Sequence, residues 1–340
     1  MQDSFRGSFH LESAINSCMT IALSRTTRLT YNSGVKAYFT FTAMYTIPKV
    51  QYNIPLCTEN ILMYFVAHCQ VTLKLSFATI KSYLAGIRHF YISHGVSNPF
   101  NGPGTDALQR LRIMLRGVKK CQLPTAPRRG PISGTMLQTL CQKLNIGLFG
   151  RYADKLMEAA CLLAFFGFLR CGEFTTHSAT FDPSSNLCLG DVVVNEISII
   201  INIKVSKCDP FRKGHTIELF KNDTTVCPHR AITKFLNTRN LLNANPHAPL
   251  FLLDSGQPLS RIIFLKWLNI IGSEAGWDHT ITGHSFRIGA ATAAAAAHVP
   301  DHVIQLLGRW SSDCYQRYIR TPQLVMRNAQ TNIAKYILTT

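Results

Sequence analysis

The 340 residues predict a two-domain protein: an all-helical N-terminal domain over 1–120, and a mainly helical C-terminal domain over 133–340 with a small antiparallel β-sheet. Three observations predict it. The length is generous for one compact domain and comfortable for two. Apolar residues recur at helical spacing through the first third, whereas β-branched alternation is confined to one stretch after residue 190. Between the two, "KKCQLPTAPRRGPISG" gathers Pro124, Pro127, Gly130 and Pro131, which break regular structure, with the charges of Lys119, Lys120, Arg128 and Arg129. Residues 121–132 read as a basic linker.

In the first domain, "LTYNSGVKAYFTFTAMY" and "TENILMYFVAHCQ" are amphipathic helices. The clearest helix is "SFATIKSYLAGIRHFYISHG". Ser76 is a plausible N-cap, and Ile80, Tyr83, Leu84, Ile87 and Tyr91 form one apolar stripe. Lys74, Lys81 and Arg88 recur every seven residues on a different face, which fits a solvated stripe or a helix lying against phosphates. "TDALQRLRIMLRGVKK" is a fourth helix, with Gly117 near its end.

In the second domain, Met136, Leu137, Leu140 and Leu144 mark a helix, and "YADKLMEAACLLAFFGFLR" a longer buried one. "DVVVNEISIIINIKVSK" alternates around Asn195-Glu196 as a hairpin, and "HTIELF" adds a third strand after the turn "CDPFRKG". Helices follow at "HRAITKFLNTRNLL", at "LSRIIFLKWLNIIGSEAG" (closed by Gly276), after "GHSFR", at "PDHVIQLLG" and at "PQLVMRNAQTNIAKYIL".

Lys and Arg number 35 against 18 acidic residues, a net charge of +17 that favours a polyanionic partner, nucleic acid or an anionic membrane. The 11 cysteines are odd in number and include no C-x-x-C pair, which argues against a disulfide framework or a zinc site and for a reducing compartment. The most apolar run, "AACLLAFFGFL", is too short to span a bilayer, and the first residues lack the apolar core of a signal peptide. An intracellular, soluble protein is expected, with no membrane partner.

Several residues could carry chemistry. His284 and Arg287 are three apart near a helix N-terminus, a setting suited to an anion. The bland alternative is a cap and a surface arginine. The small residues of "AATAAAAA" would let another helix approach closely, and a buried arginine at the start of that helix would need an anion. Arg170 ends the most apolar segment, where Glu173 could orient it or where it could simply snorkel. Lys204 and Lys207 lie near a hairpin tip, with Arg212 and Lys213 in the turn. A lysine there could protonate a leaving oxygen, or the hairpin could merely touch a backbone phosphate. Tyr315 and Tyr318 follow "LLGRW".

Taken in order, "GFLRCGEF", "KVSKCDPFRKG" and "HSFRIGAATAAAAAHVPDHVIQLLGRWSSDCYQRYIRTP" resemble the tyrosine recombinase (phage integrase/Xer/Cre-like) superfamily. The last box is similar to recombinases of eukaryotic mobile elements of the DIRS-like and Crypton type. "TIKSYLAGIRHF" resembles the family's core-binding domain, so the resemblance runs over nearly the whole chain.

The resemblance implies a SAM-like core-binding domain, a catalytic domain of the DNA breaking-rejoining fold, and a C-terminal exchange helix over 322–340. For that helix Leu324, Val325, Ile333, Ile337 and Leu338 would supply an apolar face, for a neighbour or for its own domain. It also implies a nuclear DNA strand transferase that works through a 3′-phosphotyrosyl intermediate, without metal or other cofactor and without a small-molecule substrate. Double-stranded DNA would be the partner, held by a homotetramer on paired sites; the free protein would be a monomer or weak dimer.

By the same resemblance, Arg170 and Arg287 clamp the scissile phosphate, Lys207 protonates the leaving 5′-oxygen, and His284 handles the nucleophile's proton or holds the phosphate. Trp310 stands where the family has His or Trp, and can only donate its indole N–H and fill space. Tyr318 is the nucleophile and Tyr315 the other candidate, as Lys204 is to Lys207. DNA contacts are expected from Lys74, Lys81, Arg88, Lys119, Lys120, Arg128, Arg129, Arg212 and Lys213. A DNA-binding protein without catalysis and a type IB topoisomerase are the alternatives.

Overall fold

The computed structural model describes residues 9–100, 108–122, 130–177, 180–207, 209–240, 244–278, 281–320 and 323–339. Most of the expected linker, with Arg128 and Arg129, lies outside them, as does Pro322. The chain divides into two compact units, Met1–Pro127 and Arg128–Thr340.

The first unit is helical: α1 (Phe9–Ile21), α2 (Arg25–Met44), α3 (Glu59–Val71), α4 (Phe77–Ser93) and α5 (Gln109–Cys121). Serine or threonine hydroxyls at Ser24, Thr58 and Ser76 cap α2, α3 and α4 by accepting from backbone amides three residues on. The expected stripe of α4 is its buried face: Ile80, Leu84, Ile87 and Tyr91 join Tyr38, Phe41, Leu62 and Phe65 in one core. α1 was not foreseen. Leu11, Ile15, Cys18 and Met19 recur there at helical spacing, yet the helix buries no residue.

Two glycines set the spacing of α2 and α4. A Cβ on Gly34 would lie 2.6 Å from the Tyr83 Cα, and one on Gly86 would lie 2.8 Å from the Tyr31 Cα and carbonyl oxygen. These neighbours are backbone and cannot swing aside. Gly86→Ala is therefore expected to lower the stability of this unit by about 1–3 kcal/mol in a urea titration, despite alanine's better helix propensity. An unchanged midpoint would show that the helices can part cheaply.

The second unit holds α6 (Gly134–Ile146), α7 (Arg151–Phe166), a one-turn α8 (Cys171–Phe174), β1 (Val192–Val194), β2 (Ser198–Ile203), β3 (His215–Phe220), α9 (Pro228–Arg239), α10 (Arg261–Glu274), α11 (Ser285–Ala296), α12 (Asp301–Leu307), a 3-10 turn at Asp313–Arg317, and α13 (Gln323–Thr339). The sheet is antiparallel in the order β1-β2-β3, with Val194 opposite Ile199 across the expected turn and Ile201 opposite Ile217. α7 is buried almost throughout and packs against α6, α9 and α11.

As expected, α11 has another helix against it, α7. At Gly289, just before the alanine run, it also meets backbone: a Cβ there would lie 2.0 Å from the Ile132 oxygen, and the Ile132 amide donates to the Ser285 carbonyl at 3.0 Å. The alanine run is buried at its start (Ala290, Ala291) and exposed by Ala296. On α13, Ile333 and Ile337 are exposed. Among the described residues no helix is long and apolar enough to cross a membrane.

Candidate active site

α7 ends at its cap, Gly167, and the chain then turns through Phe168 in the left-handed region (φ 49°) before Arg170 opens α8. That turn aims two groups inward. One is the Phe168 carbonyl. The other is the Arg170 guanidinium, whose Nη1 donates to Glu173 Oε1 at 3.0 Å and to Ser206 Oγ at 3.3 Å. Glu173 faces four donors. Oε1 also accepts the Ser206 hydroxyl at 2.8 Å, while Oε2 accepts the Arg170 amide at 3.0 Å and Arg309 Nη2 at 2.9 Å. Burial pushes its pKa up, but Arg309, the Arg170 amide, Ser206 and the Arg170 side chain outweigh burial and hold it below the ordinary carboxylate range.

Arg287 stands in the first turn of α11 and is fully buried. Its two terminal nitrogens donate to the carbonyls of Phe168 and Gly308, and its carbon sits 4.2 Å from the Trp310 ring centroid and 5.8 Å from that of Tyr318. Burial first, then Arg170 and Arg309, push its pKa down to about 10. Arg309 Nη2 also reaches the Phe168 oxygen, at 3.5 Å. The chain Arg170–Glu173–Arg309–Phe168–Arg287 thus joins two arginines 117 positions apart in sequence.

His284 caps α11 one turn before Arg287 and is half-buried. The preceding Gly283 accepts from the Cys171 amide at 3.3 Å, which ties the start of α11 to the residue after Arg170. Trp310 is buried against Phe168, edge to face at 6.2 Å. Its ring fills the space a Cβ on Gly308 would need, 1.7 Å away. Its indole N–H is buried with no hydrogen-bond partner among the described residues.

The tyrosines separate clearly. Tyr318 is half-buried, its ring 5.2 Å from Trp310 and next to Arg287. Thr292, within the alanine run, holds this segment by donating to the Tyr318 carbonyl at 3.3 Å and accepting the Arg320 amide at 3.0 Å. Tyr315 is 4% exposed. Burial raises its pKa and Asp301 adds to that, against a smaller lowering by Gln316.

The lysines separate too. Lys204 is engaged away from the arginines: its Nζ lies 2.6 Å from Asp191, 2.9 Å from the Pro183 oxygen and 3.1 Å from Cys188 Sγ. Lys207 is exposed, one residue after the Ser206 that contacts Arg170 and Glu173. The turn beyond it is held by Asp209, whose carboxylate accepts the Gly214 amide at 2.7 Å. Arg212 and Lys213 are exposed in that turn.

In the first unit, Lys74, Lys81, Arg88, Lys119 and Lys120 are all exposed. Gln122 stitches the end of α5 to the start of α4, accepting the Phe77 amide at 2.6 Å and donating to the Leu75 carbonyl at 2.9 Å. Lys74, Lys119 and Lys120 therefore share one edge. Arg128 and Arg129 lie outside the described residues. No group of three or more His, Cys, Asp or Glu side chains among the described residues could hold a metal.

The sequence marks Arg309 only as one of the arginines flanking the two tyrosines, and gives no role to Ser206 or Thr292. The arginine beside Trp310 in "LLGRW" was the one available signal.

Residues 197–322 match the model of the Phage integrase family, a span that holds the Lys207, His284, Arg287, Trp310 and Tyr318 positions but begins after Arg170 and Glu173. No curated protein matches the chain. Solved structures match over most of its length. The XerH site-specific recombinase bound to palindromic difH substrate, a post-cleavage complex, is 15% identical with a TM-score of 0.58, covering 86% of this chain and 75% of that one. The Tn1549 transposon integrase in complex with transposon right end DNA is 15% identical with a TM-score of 0.56, covering 92% and 95%. A lambda integrase tetramer bound to a Holliday junction is 14% identical with a TM-score of 0.55, covering 91% and 77%. At these identities the likeness is one of fold: the mostly helical two-domain integrase arrangement with its three-stranded sheet.

Proposed function

We propose that the protein is a site-specific DNA recombinase of the tyrosine recombinase kind, a reading supported by the match of residues 197–322 to the model of the Phage integrase family. It cuts and rejoins strands through a 3′-phosphotyrosyl intermediate, in the integration or excision of a mobile element. One observation carries this reading: the hydrogen-bonded chain from Arg170 through Glu173, Arg309 and Phe168 to Arg287, with the Tyr318 ring against the last guanidinium.

In the proposed reaction the Tyr318 oxygen attacks the scissile phosphorus, and the phenolic proton passes toward His284. Arg170 and Arg287 stabilise the charge that grows on the nonbridging oxygens. Lys207 protonates the departing 5′-oxygen. The bond broken and the bond formed are both phosphodiesters, so strand exchange needs no nucleotide cofactor. Arg287 is sealed, its terminal nitrogens on carbonyls and its face covered by Trp310. Contact between Arg287 and a phosphate therefore requires the Phe168 or Gly308 carbonyl, or the Trp310 ring, to give way. The exposed lysines and arginines of both units would hold the DNA backbone, with salt-dependent affinity. Four copies on two paired sites would complete the exchange, α13 reaching a neighbour through Ile333 and Ile337. Nuclear action and closeness to DIRS-like or Crypton elements rest on the likeness of the "HSFR" to "YIRTP" box alone.

The test is a pool of nicked duplexes with randomised flanks incubated with the full-length protein. A denaturation-resistant protein–DNA adduct on a subset of sequences is expected. Binding without adduct on any duplex would favour a DNA-binding protein without catalysis. Relaxation of supercoiled plasmid by the monomer would favour a topoisomerase.

A further inference from the structure

We infer that Arg309 is a third phosphate-holding cation of this site, a role that rests on the function proposed above. Arg309 lies between Gly308, whose carbonyl receives Arg287, and Trp310, which stacks on Arg287. Its backbone is left-handed, φ 54°, a region an L side chain enters only at a cost. A residue that merely linked α12 to Trp310 would shed that cost as glycine.

The side chain is buried to nine-tenths and fixed at one end only, by Nη2 on Glu173 Oε2 at 2.9 Å. Its Nε and Nη1 are buried with no hydrogen-bond partner among the described residues, and so is Nε of Arg287. Buried donors without acceptors are rare because their lost hydration is not replaced. Here they are clustered: Arg309 and Arg170 bind the two oxygens of one carboxylate, and Arg309 and Arg287 share the Phe168 carbonyl.

The charge count points the same way. Three guanidiniums against Glu173 leave two positive charges among these four groups. A phosphodiester brings one negative charge, and its five-coordinate transition state two. The cluster is thus matched to the transition state rather than to the ground state. Glu173 holds Arg309 by one edge, so the other edge of the planar fork can donate to a nonbridging oxygen. An ammonium has no second edge to offer.

The experiment compares full-length wild type with Arg309→Lys and Arg309→Gln. One arm measures adduct formation on a nicked duplex that wild type cleaves. The other measures thermal stabilisation by orthovanadate, an anion that adopts five-coordinate geometry. Adduct formation is expected to fall on the order of 10²-fold in both variants, with DNA affinity changed by less than about threefold. Stabilisation by orthovanadate is expected in wild type and not in the variants. A purely structural role predicts that lysine, which keeps the ion pair with Glu173, restores both readouts. Wild-type behaviour of Arg309→Lys in either arm overturns the inference, as does a wild type that orthovanadate fails to stabilise. A wild type that binds orthovanadate through Arg309 but forms no adduct with any duplex upholds the anion site and sinks the recombinase reading instead.

Discussion

Tyr318→Phe abolishes the covalent protein–DNA adduct, by on the order of 10⁴-fold or more, while leaving DNA affinity and its salt dependence unchanged. The reason lies in what surrounds each phenol. An unperturbed phenol has a pKa of about 10, so attack at neutral pH needs nearby positive charge and a route for the proton. The Tyr318 ring lies against Arg287, and the segment after it is tied down by Thr292. Tyr315 is buried, its ring 6.1 Å from that of Trp310, with its pKa raised by burial and by Asp301. A phenol so placed is a poor nucleophile and a good packing residue. Tyr315→Phe should therefore keep the adduct within a few-fold of wild type. Gel separation under denaturing conditions decides between the two. An adduct that survives Tyr318→Phe and disappears in Tyr315→Phe would reverse the assignment.

What the sequence could reveal follows from how local each signal is. The α4 stripe, the turn at Asn195-Glu196 and the serine cap at Ser76 are written within one element, and the structure has each of them. The pairing of Glu173 with Arg170 could be anticipated because three residues separate them on one helical turn. The second partner of Glu173 could not, since Arg309 is 136 positions away and meets it only because α7, α11 and α12 converge. The two lysines before the "CDPFRKG" turn look alike in sequence. Only the fold shows that Lys204 turns toward Asp191 and Cys188 while Lys207 follows the serine bonded to Glu173. α1 was legible and went unread: Leu11, Ile15, Cys18 and Met19 recur at helical spacing, although the structure buries none of them.

Glu173→Gln should cost the second unit about 3 kcal/mol at neutral pH, the size expected when one member of a buried ion network is neutralised. Both carboxylate oxygens are used twice, by Arg170 Nη1 and Ser206 on one and by the Arg170 amide and Arg309 on the other. Glutamine keeps one oxygen. Its amide N–H₂ must face two donors, leaving them buried and unsatisfied beside uncompensated guanidiniums. The pH dependence gives the loss a signature. The folded-state pKa of Glu173 is depressed, so its stabilisation is fully present above the unfolded value of about 4.3. It is lost as pH falls through the lower folded value, where the wild-type carboxyl is itself protonated. Urea unfolding of both proteins should therefore show a wide gap at pH 7 that narrows as pH falls below about 4.3. A gap of constant size across that range would mean that the carboxylate's charge does not hold the arginines. The site would then be shaped by packing around Trp310 and Phe168, and Arg309 would lose its anchor.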